Sequence, residues 1–171
     1  MRRLVRLCAA TVLSAVPHTA PMDISLADQK PIAGYAEHIW LSGISTSFPA
    51  KLDTGAHTSS IHAINIHEFQ RNEEAWARFT ISKPPLISRP IEARVVRTAR
   101  VKRAGVAAQQ RTVVNMKICI AGITAVTEFT LTDRSGMDYP ILIGRSFLKG
   151  RLLVDAGATD IANRGCGAEK W

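Results

Sequence analysis

From Ile32 onward the apolar residues recur at short range, and most segments alternate apolar and polar positions rather than following a helical period. Glu37–Leu41 reads as a strand closed by Ser42-Gly43. Phe48–Leu52 runs into a turn at Asp53-Thr54-Gly55, and β-formers resume from Thr58 to Ile66. Trp76–Ile81 alternates cleanly, as a half-buried strand does, and Pro84-Pro85 marks a loop. Ile91–Arg97, continuing to Val101, and Gln110–Ile120 predict the arms of a long hairpin that turns near Arg103-Ala104-Gly105. Ala121-Gly122 then leads into a strand over Ile123–Thr132. Ile141–Ile143 is a short, fully apolar strand, Ser146–Lys149 predicts one helical turn, and Leu152–Asp155 closes the set. Short strands with turn signals at this spacing predict an all-β barrel or sandwich, with Trp40 and Trp76 in its core.

The length of 171 residues fits one domain, and 46% hydrophobic with 21% charged residues excludes disorder. Three cysteines exclude a disulfide scaffold and a four-cysteine zinc site. Met1-Arg2-Arg3, the apolar run Leu7–Val16, and small residues at Ala20 and Ser25-Leu26-Ala27 read as an export signal over residues 1–27. The run is too short to span about 30 Å of hydrocarbon, so no integral membrane segment is expected. The prediction is a periplasmic or otherwise exported domain over residues 28–160 with a flexible tail at 161–171; a cytoplasmic chain with a polar N-terminal tail is the alternative. Cys119 and Cys166 then either pair or leave Cys119 a buried thiol. Of the net charge of +8, residues 28–171 keep 19 basic against 13 acidic side chains. Arg94, Arg97, Arg100, Lys102 and Arg103 lie on the hairpin. With 6% aromatic residues and none interleaved, they predict a solvated face or a preference for an acidic peptide or an anionic surface, not nucleic-acid binding.

Two segments carry candidate chemistry. Ala50-Lys51-Leu52-Asp53-Thr54-Gly55-Ala56 sets one acid at the end of an apolar strand, in a tight turn whose backbone N–H groups can hold a carboxylate. About 90 residues later, Tyr139-Pro140-Ile141-Leu142-Ile143-Gly144-Arg145-Ser146-Phe147-Leu148 is an apolar strand, then Gly-Arg, then a helix-like turn. This pairing resembles the aspartic proteases of retroviruses. Lys51–Ala63, Phe129–Arg134 and Leu153-Val154-Asp155 are similar to the bacterial retropepsin-like family catalogued as ATP-dependent zinc proteases, over roughly residues 34–160.

The resemblance implies a small closed β-barrel with a long β-hairpin and an aspartic endopeptidase with one catalytic residue, Asp53, per chain. Two chains would meet on a two-fold axis and share the acid–base work on a peptide or protein substrate. It gives Thr54 a hydrogen bond across the axis and Gly55 and Ala56 the tight turn. Ile143 and Gly144 become the apolar floor, Arg145 the anchor of the loop, and the Val95–Thr112 hairpin a flap. The chain departs from the viral pattern in two places. His57-Thr58-Ser59 stands where an acid usually anchors the arginine, so Arg145 needs another partner. The flap has only Gly105 at its tip. The alternative is a non-catalytic peptide-binding or regulatory module with the same fold.

No cofactor is expected. His57, His62 and His67 recur at five-residue spacing, which faces neither one side of a helix nor one side of a strand, so they read as surface or barrel-edge residues. His67-Glu68 begins like a zinc-protease helix, but Arg71 stands where the second histidine would be, and no phosphate-binding loop is present. Asp133 reads as a turn former.

Overall fold

The computed structural model describes residues 29–103, 106–162 and 165–167. The expected leader, the hairpin tip at Ala104-Gly105 and Trp171 lie outside the described residues. Ten strands and one helical turn follow in chain order: β1 (Ile32–Leu41), β2 (Phe48–Leu52), β3 (Ser59–Arg71), β4 (Glu74–Lys83), β5 (Leu86–Ile87), β6 (Ile91–Arg103), β7 (Val106–Ile120), β8 (Ile123–Thr132), β9 (Ile141–Ile143), α1 (Arg145–Leu148) and β10 (Leu153–Thr159). The fold is all-β, as the alternation predicts.

The strands form one sheet in the order β10-β1-β2-β9-β3-β8-β7-β6-β4-β5, and two further pairings close it on itself. Trp40 and Leu41 of β1 pair with Cys119 and Ile118 of β7, completing a ring through β2, β9, β3 and β8. β3 pairs with β4 from Ala63–Ile81 to Arg71–Glu74, completing a second ring through β6, β7 and β8. Inward-facing residues fill the rings: Ile39, Phe48, Ile61, Phe79, Phe129 and Ile141 are fully buried. Each such side chain contributes about 1.5–3 kcal/mol of transfer free energy, which favours closure over an open sheet.

β3 runs beyond Ile66 to Arg71 and turns directly into β4 through Asn72 and Glu73, both with positive φ (50° and 65°). Successive positive φ values make the twisted two-residue turn that suits a hairpin, normally marked by glycine, and the sequence carries no such mark here. β3 also bends at Asn65 (φ 53°), where its register with β4 shifts and it passes from one ring to the outer hairpin.

The C-terminal segment is tied down twice. The buried Glu37 carboxylate accepts the backbone N–H groups of Gly34 (2.6 Å), Ile161 (3.1 Å) and Ala162 (3.3 Å). Cys166 forms a disulfide with the buried Cys119 of β7, their Cα atoms 5.8 Å apart. Of the two states open to Cys119, the paired one holds. Among the described residues no helix is long and apolar enough to cross a membrane.

Candidate active site

β2 and β3 are consecutive in the chain but not neighbours in the sheet, because β9 lies between them. β2 runs parallel to β9, with Leu52 opposite Ile143, and β3 runs antiparallel to it, with Ile61 opposite Ile141. The connection over residues 53–58 therefore passes across the end of β9, and Asp53 is its first residue. The Asp53 N–H donates to the Ile143 carbonyl at 2.8 Å, prolonging the ladder by one bond. Ile143 itself is fully buried beneath.

The Gly-Arg segment after β9 holds the crossing loop from below. The Arg145 and Ser146 N–H groups donate to the Ala56 and His57 carbonyls, each at 2.9 Å, and the Gly144 N–H donates to Ser59 Oγ at 3.1 Å. A Cβ on Gly144 would lie 2.7 Å from the Thr58 carbonyl carbon and oxygen, so only glycine permits this approach. The Arg145 guanidinium donates to the Thr54 carbonyl (3.0 Å) and the Gly55 carbonyl (2.6 Å). These carbonyls are the substitute partner that Arg145 needs: the arginine anchors the loop through its backbone, where no acid is present.

Asp53 is half-buried, and Thr54 and Gly55 beside it are exposed. One carboxylate oxygen, Oδ1, accepts the Gly55 N–H at 2.8 Å and the Ala56 N–H at 3.1 Å. Among the described residues, Oδ2 accepts no hydrogen bond. One oxygen is thereby fixed and the other is left for a reacting group. A cleft of about 440 Å³ is lined by Asp53 and a second acid, Asp138, with Lys51, Arg134, Tyr35 and Tyr139. A second, larger groove of about 680 Å³ is lined by Leu148, Leu152 and Leu153 together with Lys30, Arg145 and Lys149, and reaches the loop at Thr54 and His57.

Asp53, Thr54, Gly55, Ala56, Ile143, Gly144 and Arg145 thus come together as one unit. The long hairpin of β6 and β7 forms, but none of its described residues lines either cleft. Two of its arginines are paired, Arg94 with Glu74 at 2.9 Å and Arg97 with Glu128 at 2.6 Å. His62 corrects the surface expectation for the histidines: it is buried, because both faces of β3 are covered from Ser59 to Ala63. His57 and His67 are exposed, and His67 stacks near Phe69. Asp133 forms its turn, with Oδ1 accepting the Ser135 N–H at 2.8 Å. Trp40 and Trp76 are half-buried rather than core, and Arg71 lies 4.9 Å over the Trp76 ring. Sequence reasoning does not assign Tyr35, Lys51, Arg134 or Tyr139 to a site, because they come from three separate segments, β1, β2 and the β8–β9 connection, that only the sheet order brings together.

Comparison with known proteins identifies relatives in sequence and in fold. Probable alpha-L-glutamate ligases from Shewanella pealeana and Parasynechococcus marenigrum are 36% and 34% identical to this chain over 76% and 74% of its length. The matched part is 29% and 28% of those proteins, so the chain spans under a third of the curated relatives it matches. A crystal structure of a Legionella pneumophila protein of unknown function superimposes with a TM-score of 0.69 at 28% identity, covering 79% of this chain and all of that one. The family described as retropepsin-like aspartic endopeptidase RimB matches residues 32–165. The match takes in the crossing loop, β9 and the Gly-Arg segment alike, and the chain belongs to the RimB-like family of retropepsin-like proteins.

Proposed function

We propose that this protein is an aspartic endopeptidase whose active site is completed by two copies of the chain. The observation that carries the reading is Asp53, half-buried at the start of the crossing loop, with Oδ1 bound by two N–H groups and, among the described residues, no hydrogen bond to Oδ2. A single carboxylate cannot be base and acid at once. Two of them about 3 Å apart cannot both ionise, so the pair holds one proton. The ionised member accepts a proton from water as the water oxygen attacks the peptide carbonyl, and the protonated member donates to the carbonyl oxygen. Collapse of the tetrahedral intermediate then breaks the C–N bond, with the proton passing to the leaving amine. Exposed Thr54, next to Asp53, suits a contact across the two-fold axis.

The substrate class we infer is an acidic, glutamate-rich peptide. Lys51 and Arg134 share the cleft with Asp53 and Asp138, the lining of the second groove carries Lys30, Arg145 and Lys149 and no acid, and the relatives are named for glutamate ligation. The same names favour a second reading, a non-catalytic module that binds such peptides for an attached activity. Export is also proposed, and the Cys119–Cys166 disulfide supports it, since such bonds persist in oxidising compartments.

Asp53→Asn separates the two functional readings, because it removes the acid–base group and conserves shape. With a glutamate-rich peptide as substrate, the peptidase reading expects cleavage by the wild type and none by the variant, with the fold intact by circular dichroism. The module reading expects no cleavage by either protein and equal binding by both.

A further inference from the structure

His62 is 9% exposed and is joined to both ends of the segment from Asp133 to Pro140. Its backbone N–H donates to the Pro140 carbonyl at 2.7 Å, and its ring Nδ1 accepts the Arg134 N–H at 2.8 Å. Between these points the segment supplies Arg134, Met137, Asp138 and Tyr139 to the cleft beside Asp53. The Arg134 guanidinium donates to the Tyr139 carbonyl (3.2 Å) and to Ser60 Oγ (3.1 Å), and Lys83 Nζ donates to the Met137 carbonyl (3.0 Å). One wall of the cleft is therefore assembled on a histidine that is not itself in the cleft.

An imidazole nitrogen that accepts an N–H has a lone pair there, so the ring proton sits on Nε2. Asp133 Oδ1 lies 3.4 Å from the same Nδ1. The Ser135 N–H on that carboxylate, followed by the Ser135 side chain, holds the Asp133 carboxyl below its ordinary value, so it stays charged. A proton on Nδ1 would end the bond from Arg134 and turn the ring toward Asp133; the two arrangements exclude each other. The charged groups facing the ring are Asp133 and Arg134 after β8 and Lys83 on β4. Thr132, opposite His62 on β8, and the residues of β9 carry no charge.

We propose that His62 is a positioning residue for the Arg134–Tyr139 wall of the Asp53 cleft, that it holds the wall as the neutral Nε2-protonated ring, and that a proton on Nδ1 releases Arg134 and loosens the wall. Only the consequence for catalysis rests on the peptidase reading.

Nitrogen-15 NMR of the full chain, followed downward from about pH 8 until the His62 ring takes up a proton, tests this directly. The wild type should have a bare His62 Nδ1 at the upper end, with the Arg134 amide signal moving in step with the His62 ring as the pH falls. In His62→Asn, whose Oδ1 keeps an acceptor that does not titrate, the Arg134 amide should hold its position throughout. His62→Leu should speed solvent exchange of the Arg134 amide about tenfold at every pH. Where cleavage is measurable, KM should rise on acidification in the wild type and stay level in His62→Asn. A proton on Nδ1 at the upper end, or an Arg134 amide indifferent to the His62 titration, overturns the proposal. A protein that cleaves nothing refutes the peptidase reading, while the NMR titration still decides the role of His62.

Discussion

Gly144 and Arg145 show how little freedom the residues under Asp53 have. Adding a methyl group at position 144 drives it into the Thr58 carbonyl, so Gly144→Ala should destabilise the fold by about 2–3 kcal/mol in urea unfolding. Arg145→Gln removes the two bonds to the Thr54 and Gly55 carbonyls. Those carbonyls belong to the turn that aims N–H groups at Asp53, and a small misplacement there should lower kcat/KM about 100-fold in steady-state assays. At this scale Asp53, Gly144 and Arg145 are legible because their order along the chain is distinctive. The partner of Arg145 is not, since backbone carbonyls leave no signature in sequence. The burial of His62 is hidden for a related reason: a histidine among apolar residues looks the same whether its ring faces solvent or accepts an N–H.

Among the elements, the apolar strands are the most legible. β2, β8 and β9 have the bounds that alternation and apolar runs predict. β1 and β3 are longer than expected, because pairing with β10 and β4 recruits residues whose own pattern is weak. On the outer face of β3, β4 and β6, Glu92 accepts bonds from Arg78 (2.6 Å) and Arg71 (2.5 Å). Arg78 first and Arg71 second hold the Glu92 carboxyl below its ordinary 4.5. A carboxyl depressed in the folded state contributes stability above its unfolded value and loses it as the pH falls through the folded value. Glu92→Gln should therefore lower the melting temperature near neutrality, and the gap to the wild type should close well below pH 4.5 in a pH series of thermal melts. Cys166→Ser, which opens a link between residues 47 apart in sequence, should cost about 2–4 kcal/mol in the same urea assay.

For the whole molecule, closure depends on two pairings, β1 with β7 and β3 with β4, and the first of these joins segments that no local pattern connects. An all-β class is therefore readable from periodicity and a closed barrel from the family resemblance, whereas the double ring emerges only from the three-dimensional structure. Export is tested by N-terminal sequencing from the native host: a start within residues 21–28 supports it, and an intact Met1 in soluble cytoplasm refutes it. The central claim, two Asp53 carboxylates from two chains sharing one reaction, is a claim about assembly. The most direct test is specific cleavage activity against protein concentration, read alongside sedimentation over the same range. A shared carboxylate pair predicts activity that follows the dimer fraction, falls more steeply than linearly on dilution, peaks on the acidic side of neutrality and ignores chelators. A monomer that cleaves at full rate, or cleavage lost to chelator and restored by zinc, would contradict it.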